Sequence, residues 1–213
     1  LIPLMILTMM PMAACDGSNA DPILPEQPGQ PGNSDGGDED DSTNPTNPIP
    51  GGNGRYLVLY CSRTGSTERM AQQIQQTLDC DILEVEPQTP YESDYNGMLN
   101  RAQEELAAIR QGNYPAIKTS VEDFGNYDIV FVGYPIWYGS MATPMQTFLH
   151  NHASKLAGKR IALFASSGSS GISASVDEAR TLCSGATFTE TLLLTSSTLS
   201  QMGNRIRTWL QTL

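Results

Sequence analysis

The apolar run Tyr56-Leu57-Val58-Leu59-Tyr60 leads within two residues into the hydroxyl-rich turn Ser62-Arg63-Thr64-Gly65-Ser66-Thr67. Directly after it, from Glu68 to Leu78, Met70, Ala71, Ile74 and Leu78 fall on one helical face with polar glutamines between them. The reading is a buried strand, a tight polar turn and an amphipathic helix. Such a unit needs a sheet to one side of the strand and a layer to receive the helix.

The turn has a definite chemistry. Ser62, Thr64, Ser66 and Thr67 offer four hydroxyls, Gly65 lets the backbone bend close to an anion, and the free amides of a helix start point the same way. There is no G-x-x-x-x-G-K-[ST] and no three-glycine dinucleotide fingerprint. A single terminal phosphate is the expected ligand of this turn.

The same alternation continues along the chain. Asp81 to Glu86 reads as a second strand closed by Pro87 and Pro90. A helix is expected from about Asp94 to Gly112, on the spacing of Met98, Leu99, Ala102, Leu106 and Ile109, with Gly112 as its stop. Asp128 to Tyr134 is a near-continuous apolar strand of the parallel-sheet kind. It exits through Pro135-Ile136-Trp137-Tyr138-Gly139-Ser140, read as a loop, into a helix with Thr143 as N-cap and Pro144 at its first position. Lys159 to Ala165 gives a fourth strand, running into Ser166-Ser167-Gly168-Ser169-Ser170-Gly171. Ile172 to Cys183 is the next helix, Thr187 to Thr195 a fifth strand, and Met202, Ile206, Trp209 and Leu213 mark the last helix. Strand and helix alternating in this way predict an α/β fold, a doubly wound five-stranded parallel sheet with helices on both faces.

At the first turn, the S-x-T-G-x-T pattern of residues 62–67 resembles the phosphate loop of the flavodoxin-like family, and the resemblance extends over residues 55–213. It implies strand order 2-1-3-4-5 and noncovalent FMN as cofactor. Ser62, Arg63, Thr64, Gly65, Ser66 and Thr67 are then expected at the phosphate. Pro135, Ile136, Trp137, Tyr138 and Gly139 are expected at the isoalloxazine ring, and Ser166, Ser167, Gly168 and Gly171 at its pyrimidine edge. This chain departs from the family pattern at Ser66, where asparagine is more usual, and in a third loop without an aromatic residue, which leaves one flavin face open.

Outside that region, composition changes abruptly. Residues 15–54 hold seven of the fourteen prolines, eight acids and no Lys or Arg, and read as a disordered tether. Residues 55–213 are nearly balanced, with fifteen acids and twelve bases, so no basic nucleic-acid footprint exists. Leu1 to Ala14 is an apolar run, too short to span a bilayer as a helix, ending in Met12-Ala13-Ala14 before Cys15. It resembles a bacterial lipoprotein signal peptide, with Cys15 as the lipidated residue, which places the domain outside the cytoplasm on a membrane anchor. Cys61, Cys80 and Cys183 are expected to be mostly buried thiols, a Cys80–Cys183 pair being left open. His150 and His152 read as solvated or core-edge residues, and no metal site is expected.

Three functions are compatible with this reading. The first is an electron carrier, with no catalytic residue, whose Trp137 or Tyr138 tunes the flavin potential by stacking while nearby carboxylates disfavour the reduced anion. The second resembles the flavodoxin-like quinone reductases: an open flavin face admits a quinone or similar small oxidant, with NAD(P)H as hydride donor. The third is an exported binding module without flavin. A serine hydrolase is excluded by the lack of a G-x-S-x-G elbow.

Overall fold

The computed structural model describes residues 55–213; the apolar run 1–14, Cys15 and the 15–54 tether lie outside the described residues. The chain runs β1 (Tyr56–Tyr60), α1 (Ser66–Leu78), β2 (Asp81–Glu84), α2 (Tyr95–Ile109), β3 (Ile129–Trp137), β4 (Ser140–Met141), α3 (Thr143–His152), β5 (Arg160–Ser167), α4 (Ser173–Leu182), β6 (Thr187–Phe188), β7 (Leu192–Thr195), a 3-10 turn (Leu199–Gln201) and α5 (Met202–Leu210). The sheet order is β2-β1-β3-β5-β6, with β7 also beside β5. With β6 and β7 counted as one interrupted strand, this is the expected 2-1-3-4-5 order.

Side-chain alternation along the strands builds two cores. Leu57, Leu59, Val130 and Val132 face α2, α3 and α4, packing with Met98, Met145, Phe148 and Val176. Val58, Phe131, Ala162 and Phe164 face α1 and α5, packing with Met70, Ile74, Ile206 and Trp209. Every strand pairing is parallel except β3 with β4, so all the βα exits of the parallel strands open on one edge of the sheet.

Four expectations are corrected. The fifth strand is interrupted because Ile161 pairs with Phe188 but Phe164 pairs with Leu192, so the edge carries one extra residue. This is a bulge, and the Trp209 indole takes the displaced Glu190 carbonyl at 2.8 Å. β2 ends at Glu84 and is exposed throughout, with Ile82 and Leu83 more than a third exposed; only Val85, just beyond it, is buried. α1 begins at Ser66, within the first turn. Thr143 is not the cap of α3: Ala142 holds that position and no side chain caps it.

The remaining thiols are settled by the two cores. Cys80 belongs to the α1/α5 side and Cys183 to the opposite one, and Cys61, Cys80 and Cys183 are all free and buried. Burial pushes Cys80 and Cys183 up to about 11, with Asp81 and Asp79 adding to the effect at Cys80. An unfolded thiol titrates near roughly 8.5, so between there and about 11 the unfolded chain releases protons that the folded chain keeps. The stability contributed is complete below the unfolded value and is lost as pH rises through the folded one. Urea midpoints are therefore expected to fall from pH 8 to 11, and to fall less steeply in Cys80→Ala/Cys183→Ala.

Candidate functional site

The first turn is built as an anion cradle. Gly65 caps α1 at φ 85°, with open space where a Cβ would stand. The first helical bond is Arg69 N–H to Gly65 O, so the amides of Ser66, Thr67 and Glu68 precede the helical ladder. Ser62 Oγ accepts from Gly65 N–H at 3.2 Å, leaving its own proton to donate elsewhere. Glu68, the one acid in the first turn of α1, accepts from Gln72 Nε2 one turn along the helix.

Two residues of that turn do something composition did not indicate. The Arg63 guanidinium reaches the carbonyls of Ser93 and Asp94, each at 3.3 Å, and lies over the Tyr95 ring. Thr67 is buried, and its hydroxyl meets Ser166 Oγ at 2.8 Å. That bond joins the first and third loops directly.

The second loop is a hairpin. β3 continues through Pro135 and Ile136 to Trp137 and turns back on itself, pairing Ile136 with Met141 and Trp137 with Ser140. Proline is tolerated because β1 has already parted from β3 after Gly133, and the Pro135 carbonyl accepts from Ala142 N–H at 3.1 Å. The two turn residues, Tyr138 at φ 52° and Gly139 at φ 78°, are both left-handed. This is the pattern of a type I′ turn, whose twist matches the flanking strands. It parts the two aromatics that the sequence grouped: Trp137 is buried with its ring edge-on to Tyr91 at 5.1 Å, while Tyr138 is 49% exposed at the tip. Partial desolvation of this mostly exposed ring, with the neighbouring Tyr95 phenol adding, raises the Tyr138 pKa.

In the third loop, Ser166 and Ser167 close β5, and the carbonyls are largely committed. Ser196 N–H donates to Ser167 O and Gly168 O, and Ser167 Oγ donates to Ser170 O at 2.7 Å. Beyond Gly171, α4 starts without a side-chain cap, its first helical bond being Val176 N–H to Ile172 O.

Between the first two loops and the β2 exit lies a cleft of about 420 Å3, whose lining includes Ser62, Arg63, Trp137, Glu84, Tyr91 and Lys118. Glu84 is exposed on β2, yet partial desolvation at the cleft raises its pKa, and the carboxylates of Glu68 and Glu86 raise it further. Among the described residues no group of three or more His, Cys, Asp or Glu side chains is arranged to hold a metal, and no helix is long and apolar enough to cross a membrane. His152 is buried and stacked on Phe148, its ring nitrogens 2.8 Å from Phe148 O and 3.2 Å from Val121 N, while exposed His150 stacks on Tyr114.

A flavodoxin family model matches residues 55–213. The chain belongs to the flavodoxin family. Among solved structures, a Bacteroides eggerthii protein classed as a flavoprotein is 34% identical, covering 74% of this chain and 96% of its own, with a TM-score of 0.62. A Bacteroides uniformis protein classed likewise is 28% identical over 72% and 98%, with a TM-score of 0.61. The flavoprotein of Lactobacillus acidophilus, solved in complex with FMN, is 25% identical over 70% and 99%, with a TM-score of 0.57. No curated protein matches the chain.

Within this flavodoxin fold the three predicted loops share the carboxyl edge of β1, β3 and β5. The supporting residues were not legible in the sequence. Arg101 and Glu105 form an i,i+4 pair of the kind usually found on a solvated helix face, yet both side chains are largely buried, and Glu105 accepts from Tyr91 and Thr143. Their one sequence signal is their place on α2 beside the apolar stripe that carries Ala102 and Leu106.

Proposed function

We propose that the domain binds FMN noncovalently and acts in electron transfer outside the cytoplasm, anchored through a lipid on Cys15. The observation that carries the cofactor is the anion cradle at residues 62–68, joined to the third loop by the Thr67–Ser166 bond. The donor set fits FMN: three helix-start amides and the hydroxyls of Ser62 and Thr64 suit a phosphate monoester, and no lysine is needed. The Lactobacillus acidophilus relative in complex with FMN supports the same reading. The apolar run before Cys15 supports export.

Bound FMN would supply reversible one- and two-electron chemistry. The chain's own residues then hold, orient and tune it. Residues 62–67 hold the phosphate, Pro135 to Gly139 bear on the ring, and Ser166, Ser167, Gly168 and Gly171 donate to its pyrimidine edge. Glu84, Glu86 and Glu92 in the nearby cleft disfavour added negative charge on the ring and lower its potential.

Tyr138 carries the stacking role. A tyrosine at φ 52° is strained, and asparagine or glycine would be relaxed there. An exposed aromatic kept in a strained conformation points to a ligand or partner at that ring. Tyr138→Asn is expected to raise stability by roughly 0.5–1 kcal/mol, read from urea melts, while changing the absorption band of bound flavin. An unshifted band assigns the stacking elsewhere.

A reductase of quinones or similar small oxidants is the second reading. It is favoured by the small residues of the loop 168–171, which leave one ring face accessible. Anaerobic reconstitution with FMN followed by NAD(P)H and a quinone separates the two: sustained turnover supports the reductase, and slow turnover with fast exchange to a protein acceptor supports the carrier. Failure to bind flavin leaves the flavin-free module.

A further inference from the structure

The hairpin that presents Tyr138 and Gly139 is suspended between two carboxylates that no reading of the sequence assigned a role. From α2, Glu105 accepts hydrogen bonds from Thr143, the residue that follows the hairpin and opens α3, and from Tyr91, whose ring packs at 79° to that of Trp137 at the hairpin's start. The Tyr91 and Thr143 hydroxyls also meet at 2.7 Å. Arg101 completes this side: its Nε donates to Glu105 at 2.8 Å, its Nη1 and Nη2 donate to Pro90 O and Thr89 O, and its guanidinium lies 4.2 Å over the Tyr91 ring. From α4, Glu178 accepts the Met141 N–H of the returning strand at 2.8 Å, while Gln146 Nε2 donates to Met141 O.

A backbone amide of a two-residue strand is an unusual target for a charged acceptor from another helix. The bond is charge-assisted and fixes the strand against α4. On the opposite flank, Glu105 ties Thr143 after the turn directly, and Trp137 before it through the Tyr91 ring, to one point on α2. A left-handed tyrosine persists only where its surroundings over-determine it, and these two anchors supply that constraint.

We propose that Glu105 and Glu178 are positioning residues for the ring of the cofactor, acting through Tyr91, Thr143 and Met141 to hold the 137–142 hairpin at a fixed distance from the phosphate cradle. The inference rests on the FMN reading above. A held hairpin affects the ring end of the ligand and leaves the phosphate end alone, which separates it from a merely structural role.

The test uses the full chain and compares riboflavin with FMN by calorimetry, well below the melting temperature of each variant. Glu178→Ala and Glu105→Gln are each expected to weaken riboflavin about tenfold, to shift the visible absorption band of the bound flavin, and to preserve the ratio of FMN to riboflavin affinity. Glu178→Gln keeps an acceptor for the Met141 amide and is expected to restore riboflavin affinity to within about twofold of the parent. Ile206→Val, in the core on the other face of the sheet, controls for general loss of stability. Riboflavin affinity and band unchanged in folded Glu178→Ala overturn the inference while leaving the FMN reading intact, and so does an equal loss in Ile206→Val. If Glu105→Gln fails to fold, the two Glu178 variants decide the question alone. A parent chain that binds FMN but shows no riboflavin binding overturns the ring anchor alone, and one that binds neither flavin removes both proposals.

Discussion

Gly133→Ala is expected to lower the stability of the domain by about 3 kcal/mol, the upper end of the usual range for overpacking a core. Gly133 sits mid-way along β3, and a Cβ built there stands 2.1 Å from Cζ of Phe164 on the neighbouring strand. Phe164 has no room to retreat: it is fully buried in the α1/α5 core with Trp209 against it. β3 pairs with both β1 and β5, so the strand cannot shift without breaking two ladders. Urea denaturation measures the loss. Adding Phe164→Leu to Gly133→Ala is expected to recover part of it, because the smaller side chain vacates the contested volume. A single variant as stable as the parent contradicts the packing described for the sheet centre.

Thr64→Ala with Thr67→Ala is expected to weaken FMN by about 3 kcal/mol, or about two decades in Kd: roughly 1.5 kcal/mol for the charge-assisted bond from Thr64, and about as much again for losing the Thr67–Ser166 bond that ties the first loop to the third. The two sites contribute differently. Thr64 is exposed on the turn, so its loss acts on the ligand alone. Thr67 is buried and paired with Ser166, so its loss also leaves a buried hydroxyl without its partner and lowers stability by about 1–3 kcal/mol. Calorimetry on the single variants separates these effects: Thr64→Ala changes affinity with an unchanged melting temperature, and Thr67→Ala changes both.

The fold was legible because each strand carries its own evidence. An apolar run such as Ile129 to Val132 cannot be solvated on either face, and helices with one apolar stripe must cover it. Strand order followed from the family resemblance carried by residues 62–67. The misread details were those decided by tertiary contacts. The bulge between Phe188 and Leu192 depends on register against β5 and on an indole from α5, neither of which leaves a local mark. The hairpin at Tyr138-Gly139 was hidden by its own composition: a proline inside the strand and a tyrosine at a left-handed position both argue locally against a β-turn.

At the site, the polar loops announced themselves through glycine and hydroxyl content, whereas the residues that support them did not. Glu105, Arg101 and Glu178 have the composition of an exposed helix surface. Only the packing of α2 against α3 and of α4 against the hairpin turns them inward. Trp137 and Tyr138, adjacent and chemically alike, differ by burial because Trp137 is the last paired residue of β3 and faces the core, while Tyr138 stands in the turn itself at the tip of the hairpin.

The central claim is that the cradle at residues 62–68 holds the phosphate of FMN. Calorimetric titration of the full chain with FMN and with riboflavin, at one pH and ionic strength, tests it most directly. The account predicts that FMN binds about a hundredfold more tightly than riboflavin, and that Thr64→Ala/Thr67→Ala removes most of that difference. Equal affinity for the two flavins, or a difference that survives the double substitution, would place the phosphate elsewhere and contradict the account.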